Sequence, residues 1–172
     1  MRLTAAQMDR ALGVLLGQAC GDTLGVPYEF GRPPGGDELP QMRGGGLGGY
    51  APGEWSDDTQ MAVAIAEVAA TDADLTSADA LDSIRRAVLA MAHSAGNGAL
   101  MRTSVVALAS LHDADQTAQA ARSIAELTHV DPLAGDSCVL WSEVVRVAVL
   151  EGRIDVPAAP RSDTRGAARP MD

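Results

Sequence analysis

Apolar residues recur along this chain at intervals of three and four, and nowhere do they alternate with polar ones over any length. That period predicts helices and no sheet. The first helix opens at Thr4 and Gln7, spaced as a capping box. Met8, Leu12, Leu15 and Ala19 then fall on one face, and Gly13, Gly17 and Gly21 line up as a bare stripe. Glycine costs about 1 kcal/mol in a helix interior, so the stripe predicts the close approach of another backbone. Pro27 disfavours a helical Val26 and turns the chain out. A second helix is expected over Met61 to Ala70, with Ser56 as its N-cap. Thr76 and Asp79 are spaced to cap a third, whose apolar face is Leu81, Ile84, Val88 and Met91. It stops at the turn signal Gly96-Asn97-Gly98. A fourth helix is expected over Ala99 to Leu111, with Leu100, Ser104, Ala107 and Leu111 in register. A fifth runs from Asp113 and Gln116 to Leu127. Asp131 and Pro132 fit the start of a sixth, Leu133 to Glu151, ended by Gly152. Val139, Leu140, Val144, Val147 and Leu150 make its apolar side.

Two stretches escape the pattern. Residues 31–54 hold nine glycines and four prolines, too many for a regular element, and read as a long surface loop. Gly44, Gly46 and Gly49 match a dinucleotide-binding GxGxxG only formally, since no strand precedes them and no helix follows directly. From Arg153 the apolar period disappears into Arg, Pro, Ala and Asp. The expected organisation is therefore all-α, with one helical domain over residues 1–152 and a disordered tail over 153–172.

Composition narrows the classes. Hydrophobic residues make up 47% of the 172 positions but aromatic ones only 3%, which favours closely packed helices over a β-sandwich. The net charge of −10 repels phosphate backbones, so a nucleic acid is excluded as a partner, whereas divalent cations suit it. No apolar run approaches the roughly 18 residues of a membrane span. No signal segment opens the chain, so a cytoplasmic location is expected. Cys20 and Cys138 stand alone in apolar stretches and read as buried, reduced thiols.

The candidate chemistry centres on Ser56-Asp57-Asp58-Thr59, four oxygen-bearing side chains at one helix start. Capping needs only one of them, and clustered carboxylate and hydroxyl oxygens are what Mg²⁺ takes as ligands. Other polar positions lie at helix ends: Asp22, Glu29, Asn97, Arg102 and His129. Each also has a plain reading. Asp22 and Glu29 can solvate a turn, Asn97 suits a left-handed turn, Arg102 a surface or paired cation, and His129 an interhelical hydrogen bond. The expected helix start at Ala99 offers backbone N–H groups to a phosphate.

Taken in order, four motifs carry more than any one of them: Gly21-Asp22-Thr23-Leu24-Gly25-Val26-Pro27-Tyr28-Glu29-Phe30; Gly53-Glu54-Trp55-Ser56-Asp57-Asp58-Thr59-Gln60-Met61; Gly96-Asn97-Gly98-Ala99-Leu100-Met101-Arg102; and Leu127-Thr128-His129. Together they resemble the ADP-ribosylglycohydrolase family. The resemblance covers residues 8 to about 150, the first half of a typical member. It implies an all-helical domain holding two Mg²⁺ ions in a cleft. It also implies hydrolysis of the bond joining ADP-ribose to a modified side chain, such as arginine or serine, or to a small acceptor. By position, Ser56, Asp57 and Asp58 would be metal ligands, with Ser56 standing where the family usually has Thr. Glu29 and Asp58 would be catalytic, Glu29 as the carboxylate that handles the water or the leaving group. Gly96, Asn97, Gly98, Arg102 and His129 would bind the ADP-ribose.

The resemblance also implies a gap. The family's second metal motif, an Asp-x-Asp-Thr element in a late helix, has no counterpart except the pair Asp163-Thr164 in the tail. The expected chain is thus a truncated hydrolase, incomplete in its C-terminal half and inactive unless another chain completes it. The alternative is a non-catalytic ADP-ribose-binding or structural relative, since the family includes a lens crystallin. An incomplete domain leaves apolar faces open, the glycine stripe and the Val139 to Leu150 face among them. Self-association is then expected.

Overall fold

The computed structural model describes residues 2–91 and 98–154. Seven α-helices follow in order among them: α1 Ala5–Gly25, α2 Asp57–Ala69, α3 Ala78–Met91, α4 Gly98–Met101, α5 Val106–Ala109, α6 Ala114–Glu126 and α7 Pro132–Glu151. A 3-10 turn, Thr103–Val105, links α4 to α5. No strand occurs among the described residues beyond one antiparallel bridge, Gly45 to Tyr50. The all-α expectation holds.

The caps explain most of the boundaries. Thr4 and Gln7 form the expected capping box. Asp113 accepts from the Gln116 N–H, and Asp131 from the Leu133 N–H with Pro132 behind it. Gly152 ends α7 in the left-handed conformation at φ 71°. One cap differs. The Ser77 hydroxyl, not Thr76, accepts from the Ala80 N–H at the start of α3, and Thr76 instead donates to Asp74.

The main core lies where α2, α3, α6 and α7 meet around Ile65, Ile84, Val88, Val106, Ile124 and Cys138. The most extensive helix pair is α6 with α7. A second cluster, Ala107, Leu111, Val145 and Val149, takes Leu3, Ala11 and Val14 from the α1 side. The expected apolar side of α7 is therefore not open: Val144 and Val147 are buried, and Val139, Leu140 and Leu150 half-buried.

Four expectations fail. The face of α1 that turns inward is not Met8, Leu12 and Leu15, all of which are exposed. This helix is apolar nearly all round, so its period chooses no face, and polar anchors set its rotation instead. Gln7 and Arg10 donate to the carbonyls of Leu150 and Val149, and Gln18 donates to those of Asp58 and Met101. The stripe of Gly13, Gly17 and Gly21 meets no backbone: a Cβ added at each would find nothing within 4 Å. Cys20, on the same side, is exposed, while Cys138 is buried as expected.

The fourth failure is the single helix over Ala99 to Leu111, which is broken. The Thr103 hydroxyl donates back to the Leu100 carbonyl at 3.0 Å, and a run of β-branched residues follows, conditions that tighten a helix into a 3-10 turn. The long loop is ordered in part by glycine. Gly46, at φ +64°, lies so near the Val26 carbonyl that a Cβ would sit 2.8 Å from it. This close approach lays the loop against the end of α1.

Candidate functional site

The site is built where the last turn of α1 meets the first of α2. Ser56 caps α2 as expected, its hydroxyl accepting weakly from the Asp58 N–H at 3.4 Å. The stronger clamp comes from Asp22. One of its oxygens accepts from the Ser56 hydroxyl at 2.6 Å. The other accepts from the Ser56 N–H at 3.0 Å, the Thr59 N–H at 3.1 Å and the Thr59 hydroxyl at 2.6 Å. A carboxylate facing the free N–H groups of a helix start is favoured by charge-assisted bonds and by the helix dipole. With Asp22 already occupying that end, Asp57 and Asp58 are not needed as caps.

A cleft of about 330 Å³ opens beside this junction, with Gln18, Asp22, Glu29, Ser56, Asp58 and Met101 in its wall. No basic side chain is among its lining residues. The carboxylates therefore press on one another. Burial, then the charges of Asp22, Asp57 and Glu29, push Asp58 up to about 6. Glu29 is raised by desolvation, then by Asp57 and Asp22. Tyr50, in the glycine loop, is raised by desolvation, then by the charges of Asp57, Asp22, Glu29 and Glu54. Gln18 fixes the opposite wall: besides its two donated bonds, its side-chain oxygen accepts from the Ser104 hydroxyl.

The expected site residues thus fall into two groups. Glu29, Ser56 and Asp58 line the cleft, and Asp57 lies near enough to add its charge to both carboxyls. Gly98, Arg102 and His129 form a second group behind α4. A Cβ at Gly98 would lie 3.6 Å from the His129 ring, and Arg102 donates to the Gly98 carbonyl at 2.8 Å. Arg102 is only 1% exposed and also holds the Ile124 carbonyl and the Thr128 hydroxyl. Its guanidinium braces the Gly98 turn and is not among the residues lining the acidic cleft. The Nδ1 of His129 pairs with the Thr128 hydroxyl at 2.8 Å. Gly96 and Asn97 lie outside the described residues.

A hard cation is served by oxygen donors, and the donor set here is of that kind. The count falls short. Among the described residues no group of three or more His, Cys, Asp or Glu side chains converges to hold a metal ion. The Ser56 hydroxyl already gives its proton to Asp22.

The sequence reading missed Asp22 as an organising residue, along with Gln18, Tyr50 and Met101. The signal for Gln18 was present, a lone amide deep in an apolar helix. Asp22 was visible only as a polar residue at a helix end, because its partners are 34 and 37 positions away.

An all-helical domain with a carboxylate-lined cleft at the junction of two helix ends defines the structural class. The ADP-ribosylglycohydrolase family model matches residues 3–169, and the chain belongs to that family. It is 32% identical to the ADP-ribosyl-(dinitrogen reductase) glycohydrolase of Rhodospirillum rubrum over 80% of this chain and 57% of that one. It is 47% identical to the ADP-ribosylarginine hydrolase Tri1 of Pseudomonas putida (strain GB-1) over 60 residues, 35% of this chain and 16% of the other. A solved structure, an ADP-ribosylglycohydrolase-related protein complex, superposes with a TM-score of 0.66 at 30% identity. That match covers 85% of this chain and 58% of the solved one. The chain therefore spans little more than half the length of the Rhodospirillum rubrum enzyme and of the solved chain.

Proposed function

We propose that this chain carries the catalytic carboxylates of a Mg²⁺-dependent hydrolase that releases ADP-ribose from a modified side chain, arginine being the favoured linkage. The observation that carries the reading is the Asp22 clamp. It fixes the start of α2 so that Asp58 lines the same cleft as Glu29, with Asp57 next to it in the chain. The names of two relatives, an ADP-ribosyl-(dinitrogen reductase) glycohydrolase and an ADP-ribosylarginine hydrolase, support the substrate class. The free thiols of Cys20 and Cys138 suit a reducing, cytoplasmic setting.

In this reading Asp57, Asp58 and the Ser56 hydroxyl hold Mg²⁺ from one side. The ion would orient ribose hydroxyls and lower the pKa of a water. Glu29 takes a proton from the attacking water as the water's oxygen bonds to the anomeric carbon, the bond from that carbon to the departing nitrogen or oxygen breaks, and the proton passes to the departing atom. The surrounding negative charge stabilises the oxocarbenium-like state between. An acid lifted toward neutrality suits such proton exchange. The test is release of ADP-ribose from an ADP-ribosylated arginine peptide in Mg²⁺. Asp58→Ala is expected to abolish it, and release that survives this change overturns the reading.

A second reading, a non-catalytic ADP-ribose-binding relative, is favoured by the incomplete cage among the described residues. Calorimetry showing ADP-ribose bound with no release selects it.

A further inference from the structure

The Arg102 guanidinium is buried, and among the described residues it is met by neutral acceptors alone. Nη1 donates to the Gly98 carbonyl at 2.8 Å, and Nη2 to the Ile124 carbonyl at 2.8 Å and the Thr128 hydroxyl at 2.7 Å. Its Nε–H has no partner among the described residues. Taking a charge out of water without an opposite charge beside it is unfavourable. Bracing the start of α4 uses one of these bonds. The bond to Thr128 is the one that leads further.

A threonine hydroxyl has one proton and two lone pairs. One lone pair of Thr128 takes the Arg102 Nη2–H. Among the described residues, the acceptor in reach of its own proton is the His129 Nδ1, at 2.8 Å. A hydroxyl that accepts a charge-assisted bond is polarised into a stronger donor, which favours the ring over solvent. A proton on Nδ1 would instead aim two N–H groups at the same oxygen. The bond made by one ring nitrogen decides which of the two carries the proton. We infer that Arg102 is a positioning residue acting through Thr128: it fixes the neutral His129 imidazole with its proton on Nε2, so that the ring donates to a ligand oxygen and is not the base of the reaction. The ring lies against the bare backbone of Gly98, where an added Cβ would stand 3.6 Å from Cε1. The Gly98 carbonyl is held by the same guanidinium. One buried cation therefore sets both the start of α4 and the donor beside it. The ligand contact rests on the proposed ADP-ribose site, and the tautomer does not.

The test is the ring ¹⁵N spectrum of His129 in the whole chain at pH 8. A pyridine-type Nδ1 and a pyrrole-type Nε2 are expected. Thr128→Val removes the relay at nearly constant shape and should move the Nδ1 signal toward the averaged position of a free imidazole. Thr128→Ser should return it. Arg102→Lys keeps the charge without the planar fork and should act as Thr128→Val does. Thermal melts check that each variant folds, and the Thr128 pair tests the relay with Arg102 in place. A protonated Nδ1 in the parent overturns the inference, and so does an Nδ1 signal that Thr128→Val leaves unmoved. Calorimetry with ADP-ribose tests the contact. His129→Gln, whose amide offers an N–H near the Nε2 position, should bind within about threefold of the parent, and His129→Leu about tenfold more weakly or worse. Equal losses in the two overturn the donor role. If the parent binds no ADP-ribose, the proposed function and the ligand contact fall together, while the ring spectrum still decides the tautomer.

Discussion

Asp22 is the residue on which the site's geometry turns, and its environment makes a sharp demand. All four groups that face it are donors, two backbone N–H and two hydroxyl. Asp22→Asn keeps the shape but sets an NH₂ donor against other donors. Leaving such groups unsatisfied costs about 1–3 kcal/mol. The expected result is a lower urea midpoint at unchanged slope, together with loss of any ADP-ribose release. A midpoint equal to the parent's would show that the clamp is replaceable. Asp58 makes a second prediction, of opposite sign. Its carboxyl is held at about 6 against an ordinary 3.8, so the folded chain binds this proton more tightly than the unfolded one. Stability then falls as the pH rises through that window and stays lower above it. Glu29 is shifted the same way. Asp58→Asn should flatten the melting temperature against pH between 4 and 7 and melt higher than the parent at pH 8. Parallel curves for the two proteins would defeat this. Adjacency in the chain made Ser56, Asp57 and Asp58 legible as a group, and the family resemblance added Glu29. Nothing local could pair Asp22 with Thr59, since only the folded backbone brings them together.

Where most elements start and stop was legible, the α3 cap and the break between α4 and α5 excepted; which way α1 faces was not. Thr4 and Gln7, Ser56, Asp113, Asp131 and Gly152 each act within one turn of themselves, and each caps as its spacing predicts. The rotation of α1 depends instead on Gln7, Arg10 and Gln18 finding carbonyls far along the chain. The break between α4 and α5 has a similar origin in side chains that bond backbone groups, Thr103 to Leu100 and Arg102 to Gly98. The open stripe on α1 gives a test at this scale. A methyl at Gly13 meets nothing within 4 Å, so Gly13→Ala gains helix propensity without a clash. It should stabilise the isolated chain by about 0.5–1 kcal/mol in urea unfolding. A loss of stability would mean that the stripe already packs against something in solution.

At the scale of the whole molecule, charge and shape act together. A net charge of −10 opposes compaction, and the carboxylates of Asp22, Glu29 and Asp58, with the charge of Asp57 close by, concentrate part of that repulsion at one cleft with no cation in its lining. Any salt screens the diffuse part over a Debye length of about 10 Å at 0.1 M. Only an ion that enters the cleft relieves the local part. Magnesium chloride should therefore raise the melting temperature more than sodium chloride at matched ionic strength. A site that binds only the folded chain gains about 1.4 kcal/mol when the ion is at ten times its dissociation constant. The excess should vanish in the double variant Asp57→Asn, Asp58→Asn, because both neutral amides keep the size but not the charge. It should also be larger at pH 8 than at pH 5, since protons compete for Asp58 near pH 6. Equal shifts from the two salts in the parent protein would confine the effect to screening and remove the cation from the proposed chemistry of this chain.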